Sequence, residues 1–172
     1  MICYTLNLSL LCSIIAIAGC GYTLGTQPLY GVRTVHVPVF KSESFRRNLD
    51  YLLTEAVQRE IRTRTTYRLE DEETADTILK GRIVEIRKTP LSETRYDDPR
   101  EVQLMVGAEV TWVDRRSGQI LQQETFPIGA SLTQQASNVS FAPEVGQSLA
   151  TAQQDAAQRL ASRIVDLLEI PW

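Results

Sequence analysis

The chain has 172 residues, 43% of them hydrophobic, and its 18 basic and 21 acidic side chains give a net charge of −3 at pH 7. A nucleic-acid-binding domain normally shows a strongly basic balance or face, so a pI near 5.3 argues against nucleic acid as a partner. The length fits a single domain preceded by a short N-terminal segment.

The N-terminal segment has the composition of an export signal. No charged side chain precedes Cys20, and residues 6–18 are mostly Leu, Ile, Ala and Ser. This run is shorter than the roughly 20 apolar residues of a membrane-spanning helix and suits the apolar region of a secretory signal. Ile17-Ala18-Gly19-Cys20 resembles a bacterial lipobox, in which small residues precede an acylated cysteine. The alternative is a buried N-terminal segment that happens to contain a cysteine.

This interpretation divides the chain into three parts. Residues 1–19 are a lipoprotein signal peptide, residues 20–31 are a tether lipidated at Cys20, and residues 32–172 form one domain. Cys3 and Cys12 lie in the part that would be removed. We therefore expect an exported domain without disulfides, which has to be stabilised by its core.

The domain begins with a predicted strand and helix. Val32–Phe40 alternates apolar and polar residues, as strands do, and Pro38 places this strand at a sheet edge or ends it. A helix over Leu49–Ile61 follows because apolar residues recur on one stripe at 3.6-residue spacing, namely Leu49, Leu52, Leu53, Ala56, Val57 and Ile61. The acidic stretch Glu70–Glu73 predicts a solvated connector.

The middle of the domain predicts three strands. Asp76–Thr89 has a strand composition, and Lys88–Pro99, which contains two prolines, predicts a long loop. In Glu101–Asp114 alternate positions from Val102 to Trp112 are all apolar, while Glu101, Gln103, Glu109 and Thr111 occupy the other face, which indicates a sheet covered on one face and wet on the other. The turn residues Arg115–Gly118 predict an antiparallel hairpin with Gln119–Ile128.

The last part predicts a second helix. Gly129–Ala142 is polar and has no period, and Pro143 suits the first position of a helix that ends before Pro171. The element order β-α-β-β-β-α therefore predicts an α+β fold, with two helices packed on one face of a four-stranded, mostly antiparallel sheet.

Few residues in this chain suit catalysis. His36 is the only histidine, set among valines and interpreted as a strand-face residue. No Ser-His-Asp or Cys-His set can be assembled, and zinc would need clustered His and Cys ligands. The adjacent acids Asp97 and Asp98 are interpreted as solvated. We therefore predict that the protein is not an enzyme and has no catalytic residue, cofactor or metal.

Basic residues cluster around the second strand and the loop after it. Charge-assisted hydrogen bonds would allow them to meet the phosphate groups of an anionic lipid. The alternative is scattered surface charge balanced by acids. The residues concerned are Arg82, Arg87, Lys88, Arg95 and Arg100.

Five segments together resemble a known family, the lipopolysaccharide-assembly lipoprotein LptE. The family has a lipidated cysteine followed by Gly-aromatic, a first strand ending in Val-Pro-x-Phe, a first helix, a strand that starts with Ala-Asp-x-x-Leu-x-Gly, and a hairpin. The matching segments occur in the same order and cover nearly the whole mature chain: CGYTLG (20–25), VRTVHVPVF (32–40), LDYLLTEAVQREI (49–61), ADTILKGRIVEI (75–86) and VTWVDRRSGQIL (110–121).

The resemblance implies a two-helix, four-strand domain that is lipid-anchored to the outer membrane on its periplasmic face. It implies a complex with LptD, a large outer-membrane β-barrel, in which the domain plugs the lumen, assists barrel assembly and helps to deliver lipopolysaccharide to the cell surface. Arg87, Lys88, Arg95 and Arg100 are the candidate lipopolysaccharide contacts. The alternatives are another outer-membrane lipoprotein adaptor, such as a regulator of cell-wall synthases, or a periplasmic hydrolase with a carboxylate site.

Overall fold

A computed structural model describes residues 31–42, 48–93, 99–128, 138–143 and 146–169, except the side chains of residues 92, 93, 99 and 100. The predicted α+β class is confirmed, with two helices and a seven-stranded sheet among these residues. In chain order the elements are β1 (Thr34–His36), β2 (Lys41–Ser42), α1 (Leu49–Arg64), β3 (Arg68–Leu69), β4 (Thr77–Glu93), β5 (Pro99–Asp114), β6 (Ile120–Phe126), β7 (Asn138–Phe141) and α2 (Leu149–Glu169).

The sheet is mixed rather than mostly antiparallel. Its strand order is β3-β1-β4-β5-β6, with β2 also beside β4 and β7 also beside β5. The pairings β1–β3, β1–β4 and β2–β4 are parallel, whereas β5 is antiparallel to β4, β6 and β7. The predicted four-stranded sheet is therefore wrong in strand number and in direction, because the additional strands β2, β3 and β7 have only two to four residues and are too short to show an alternating pattern.

Three predicted boundaries are also wrong. The predicted loop Lys88–Pro99 is mostly strand, since β4 continues to Glu93 and β5 begins at Pro99. Strand β7 lies within Gly129–Ala142, where no element was predicted. The second helix begins at Leu149 instead of Pro143, because Gly146 has a φ of +82°, outside the helical region.

The core lies between the two helices and one face of the sheet. The predicted apolar face of β5 is confirmed, since its side chains from Leu104 to Trp112 at alternate positions are at most 3% exposed. Helix α1 buries Leu53, Val57 and Ile61 against it, and α2 buries residues that include Leu160 and Ile164. Each large apolar side chain contributes about 1.5–3 kcal/mol on full burial, so this layer carries most of the stability.

The two helices run parallel to each other. Gln158 hydrogen-bonds Glu60, and one turn further on Arg64 donates to Ser162 Oγ at 2.8 Å. The same guanidinium contacts Asp166 Oδ1 at 2.6 Å and Glu169 Oε2 at 2.7 Å. The hydrogen bond with Asp166 raises the pKa of Arg64 further. Arg64 thus ties the end of α1 to the last turns of α2.

The ring of Phe40 lies directly on Gly81 of β4. A Cβ atom on Gly81 would come within 2.4 Å of Phe40 Cε2, and Phe40 is only 1% exposed. The Phe40 backbone N–H donates to Thr54 Oγ1 on α1 at 3.0 Å. This contact joins the phenylalanine of Val-Pro-x-Phe to the glycine of Ala-Asp-x-x-Leu-x-Gly, and holds α1, β2 and β4 together.

Asp76, from the same motif, fixes the start of β1. Its Oδ2 accepts the backbone N–H groups of Arg33 at 3.0 Å and Thr34 at 3.2 Å, while its own N–H donates to Thr34 Oγ1 at 2.8 Å. The hydrogen bond from Arg33, followed by those from Thr34, lowers the pKa of Asp76. Because the folded state favours the ionised carboxylate, this contribution to stability is lost as pH falls through the lowered pKa.

We expect Gly81→Ala to lower the free energy of unfolding by about 1–3 kcal/mol, the usual cost of overpacking, as measured by urea denaturation. Phe40→Leu shortens the ring and makes room, so the double variant should lose less stability than the sum of the single losses. Strictly additive losses would contradict a direct contact as the cause.

Asp76→Asn should cost about 1–2 kcal/mol at neutral pH, because the neutral amide oxygen accepts the Arg33 and Thr34 N–H groups more weakly than the charged carboxylate does. The difference from the parent should shrink in acid, where the parent carboxylate is also protonated. Urea denaturation at decreasing pH measures this, with Asp155→Asn on the exposed side of α2 as the matched control. A difference that is the same at every pH would rule out the carboxylate as its source.

Candidate interaction surfaces

His36 takes part in a structural hydrogen bond. It is half-buried on β1, and its Nδ1–H donates to the backbone oxygen of Glu70 at 3.0 Å. The imidazole thereby connects β1 to the connector that follows β3, which agrees with its interpretation as a strand-face residue. Within the described ranges, no group of three or more His, Cys, Asp and Glu side chains is placed to hold a metal ion.

The sheet face opposite the helices, called here the open face, carries a polar ladder across three strands. Arg82 Nη2 on β4 contacts Glu109 Oε2 on β5 at 2.7 Å, and Gln123 Nε2 on β6 donates to Glu109 Oε1 at 3.1 Å. The hydrogen bond from Arg82 is the largest cause that lowers the pKa of Glu109. Both carboxylate oxygens of Glu109 are therefore engaged, and the carboxylate stays ionised at neutral pH.

The open face is wet only in part. The predicted outward positions Glu109 and Thr111 are half-buried there, but Met105 on the same face is only 8% exposed. A Cβ atom on the neighbouring Gly107 would lie 3.3 Å from Ile128 Cγ1, so the chain after β6 covers this part of the face.

A groove of about 420 Å³ lies where the open face meets the outer edge of β4. We call it the edge groove and define it by Pro38, Val39, Lys41, Lys80, Arg82 and Thr111. Its acidic lining residues are Glu72, from the connector, and Glu109, which is bound to Arg82. A smaller cleft of about 260 Å³ beside His36 is lined by both Arg62 and Asp71.

The outer half of the β4–β5 hairpin projects past the last pairing of β4 with β2. From Arg87 to Leu91 every β4 residue is exposed except the half-buried Thr89. No described strand pairs with the outer edge of β4 beyond Ile83. This part of β4 is therefore accessible along its outer edge, whereas Leu104 and Met105 of the paired strand β5 are buried.

Of the predicted basic contacts, Arg87 and Lys88 lie on the described part of this hairpin and do not share a face. Arg87 pairs with Met105 of the open face, and Lys88 pairs with Leu104 of the helix-covered face, so the two side chains lie on opposite faces. Arg87 Nη2 contacts Glu85 Oε1 at 2.6 Å. Arg100 lies on β5 with its side chain outside the description, and Arg95 and Cys20 lie outside the described residues.

Sequence reasoning missed the edge groove. Neither Lys41 nor Lys80 was predicted as a site residue, because each is an isolated lysine in a strand segment. Lys41 is paired in register with Arg82, which is 41 positions further along the chain. Only knowledge of the parallel β2–β4 pairing brings these cations together.

Neither helix of the described part is both long enough and apolar enough to cross a membrane. The fold and its surfaces define a class of protein in which two parallel helices cover one face of an open mixed sheet, leaving a partly polar face and a projecting hairpin.

Solved structures share this fold at low sequence identity. The hypothetical protein CT253 from Chlamydia trachomatis is 14% identical, with 80% of this chain and 96% of that chain covered at a TM-score of 0.55. PelC from Paraburkholderia phytofirmans, a dodecamer, is 13% identical, with 87% and 96% covered at a TM-score of 0.51. None of the curated proteins matches the sequence.

The particular family follows from the sequence profile. The family described as LptE, lipopolysaccharide assembly, matches residues 32–168. The chain belongs to the LptE family, which confirms the predicted family; four of the five resembling segments lie within the matched residues, and CGYTLG (20–25) lies before them.

Proposed function

We propose that the protein is a non-enzymatic, outer-membrane lipoprotein that assists assembly of the LptD β-barrel, plugs its lumen and helps to deliver lipopolysaccharide to the cell surface. The observation that carries this proposal is the LptE family match over residues 32–168, which includes nearly all of the predicted domain. The two motifs that meet at Phe40 and Gly81 add support, since both belong to the family pattern.

The open face supports a position inside a hydrated barrel. The ladder formed by Arg82, Glu109 and Gln123 is exposed and hydrogen-bonded, and would be costly to place against lipid. Interfaces rich in polar groups and bridging water are common between proteins. A wet barrel lumen would accept such a surface without desolvating it completely.

The projecting hairpin is the proposed site of lipopolysaccharide contact, through Arg87, Lys88, Arg95 and Arg100. Because Arg87 and Lys88 lie on opposite faces of β4, they would meet phosphate groups on two sides of the hairpin. This geometry favours a hairpin inserted among several anionic groups over a flat surface that binds one group.

The proposed anchor is an acylated Cys20, which would hold the domain at the periplasmic face of the outer membrane. A single acyl chain gives only marginal membrane binding, so a multiply acylated cysteine is the physically sensible anchor.

Depletion of the protein should lower assembled LptD and surface lipopolysaccharide together, because the proposal makes both depend on the same plug. Quantitative immunoblotting of the folded barrel and surface labelling of the glycolipid measure the two quantities. An unrelated outer-membrane barrel serves as control and should keep its level. Normal levels of both LptD and the glycolipid after depletion would refute the transport role.

Complementation of the depleted cells distinguishes the role of the hairpin in lipopolysaccharide binding from the role of the domain in barrel assembly. An Arg87→Glu/Lys88→Glu variant should restore the barrel but bind lipopolysaccharide more weakly. Arg62→Glu/Arg163→Glu makes the same charge change on exposed positions of the helices and should restore both. Equal lipopolysaccharide binding by the two double variants would remove the hairpin from the proposal.

Cys20→Ala should abolish incorporation of a labelled fatty acid and release the protein from the membrane fraction. The domain should still fold, since its core contains no residue before Val32 among the buried positions described. Cys12→Ala is the matched control and should incorporate the label normally. Undiminished labelling of the Cys20 variant would exclude this residue as the lipid attachment site.

A further inference from the structure

The edge groove concentrates positive charge on an acidic protein. Lys41 and Lys80, two of the three lysines in the chain, line it. Neither has an ion-pair partner among the residues that the structure describes, whereas Glu109 has both oxygens engaged by Arg82 and Gln123. Lysine carries a compact charge on a flexible stem, so both ammonium groups can reach an acidic ligand in the groove.

The groove lies at an interruption in the pairing along the β4 edge. Strand β1 pairs with β4 up to Ile78, and β2 resumes the pairing at Arg82, so the segment between them leaves the β4 edge. Val39 in that segment is 50% exposed and forms an apolar wall with Pro38. The groove thus combines exposed apolar side chains with lysines that have no ion-pair partner among the described residues.

The spacing of the cations matches an extended polypeptide. Lys41 pairs in register with Arg82, two positions beyond Lys80, so the two lysines lie about 7 Å apart along the strand direction. Acidic side chains at alternate positions of an extended segment have the same separation, so two of them would contact both lysines.

A small phosphate group fits this site less well. Phosphate sites commonly use a helix N-terminus or a free arginine fork. Neither helix start lines the groove, and Arg82 already contacts Glu109. We propose that the edge groove is a docking site for an extended, acidic segment of a partner protein, in addition to the barrel and lipopolysaccharide roles proposed above.

Binding of a fluorescent peptide of alternating glutamate and valine to the full-length protein in detergent tests this proposal, with anisotropy as the readout. The glutamate peptide should bind, and more weakly as salt is added, while a glutamine–valine peptide should not. Lys41→Gln/Lys80→Gln should weaken binding about threefold to thirtyfold, the sum expected for two exposed ion pairs. Arg116→Gln/Arg163→Gln removes the same charge outside the groove and should bind like the parent.

Three results would overturn the proposal. One is equal affinity of the parent and the double lysine variant. Another is displacement of the peptide by inorganic phosphate, which would indicate a small-anion site. The third is lysine-dependent binding to phosphatidylglycerol vesicles without peptide binding, which would indicate a lipid headgroup site. No arm contains LptD or lipopolysaccharide, so failure here is distinguishable from failure of the transport role.

Discussion

The contact between Phe40 and Gly81 is the constraint on which the rest of the structure depends. A ring placed 2.4 Å from where a Cβ atom would lie leaves no room for a side chain at that position of β4 unless the ring moves. Because the Phe40 backbone also binds Thr54, the same residue fixes the distance between α1 and the sheet. It further sets where β2 resumes its pairing with β4, since Lys41 follows directly.

The two faces of the sheet have separate tasks as a result. The helix-covered face is dry and contributes stability, with β5 at its centre buried from Leu104 to Trp112. The open face contributes little burial and holds the Arg82–Glu109–Gln123 ladder, so its residues are under weaker packing constraints. The departure of residues 37–40 from the sheet edge, caused by burial of the Phe40 ring, creates the edge groove on this side.

Long periodic elements could be predicted from the sequence, whereas short or paired features could not. The alternation of Glu101–Asp114 and the stripe of α1 each repeat over several turns or pleats, so burial dictates the pattern. Strands β2 and β3 have two residues each and show no period. The prolines at 90 and 99 suggested a loop, yet Pro90 is tolerated because the outer edge of β4 has no described neighbour there. The basic residues could be identified from the sequence. Which face of the sheet Arg87 and Lys88 occupy depends on the β4–β5 register, which the sequence does not show.

The parallel arrangement of α1 and α2 has an electrostatic consequence. Each helix carries roughly half a positive charge at its N-terminus and half a negative charge at its C-terminus, and parallel helices add these instead of cancelling them. Arg64, placed between Asp166, Glu169 and the oxygen of Ser162, offsets the accumulated negative end. The N-termini of both helices, which carry the positive charge, lie at the end of the domain towards which β4 and β7 run. The backbone itself therefore gives the helical layer an electrostatic polarity, with its positive end opposite Arg64.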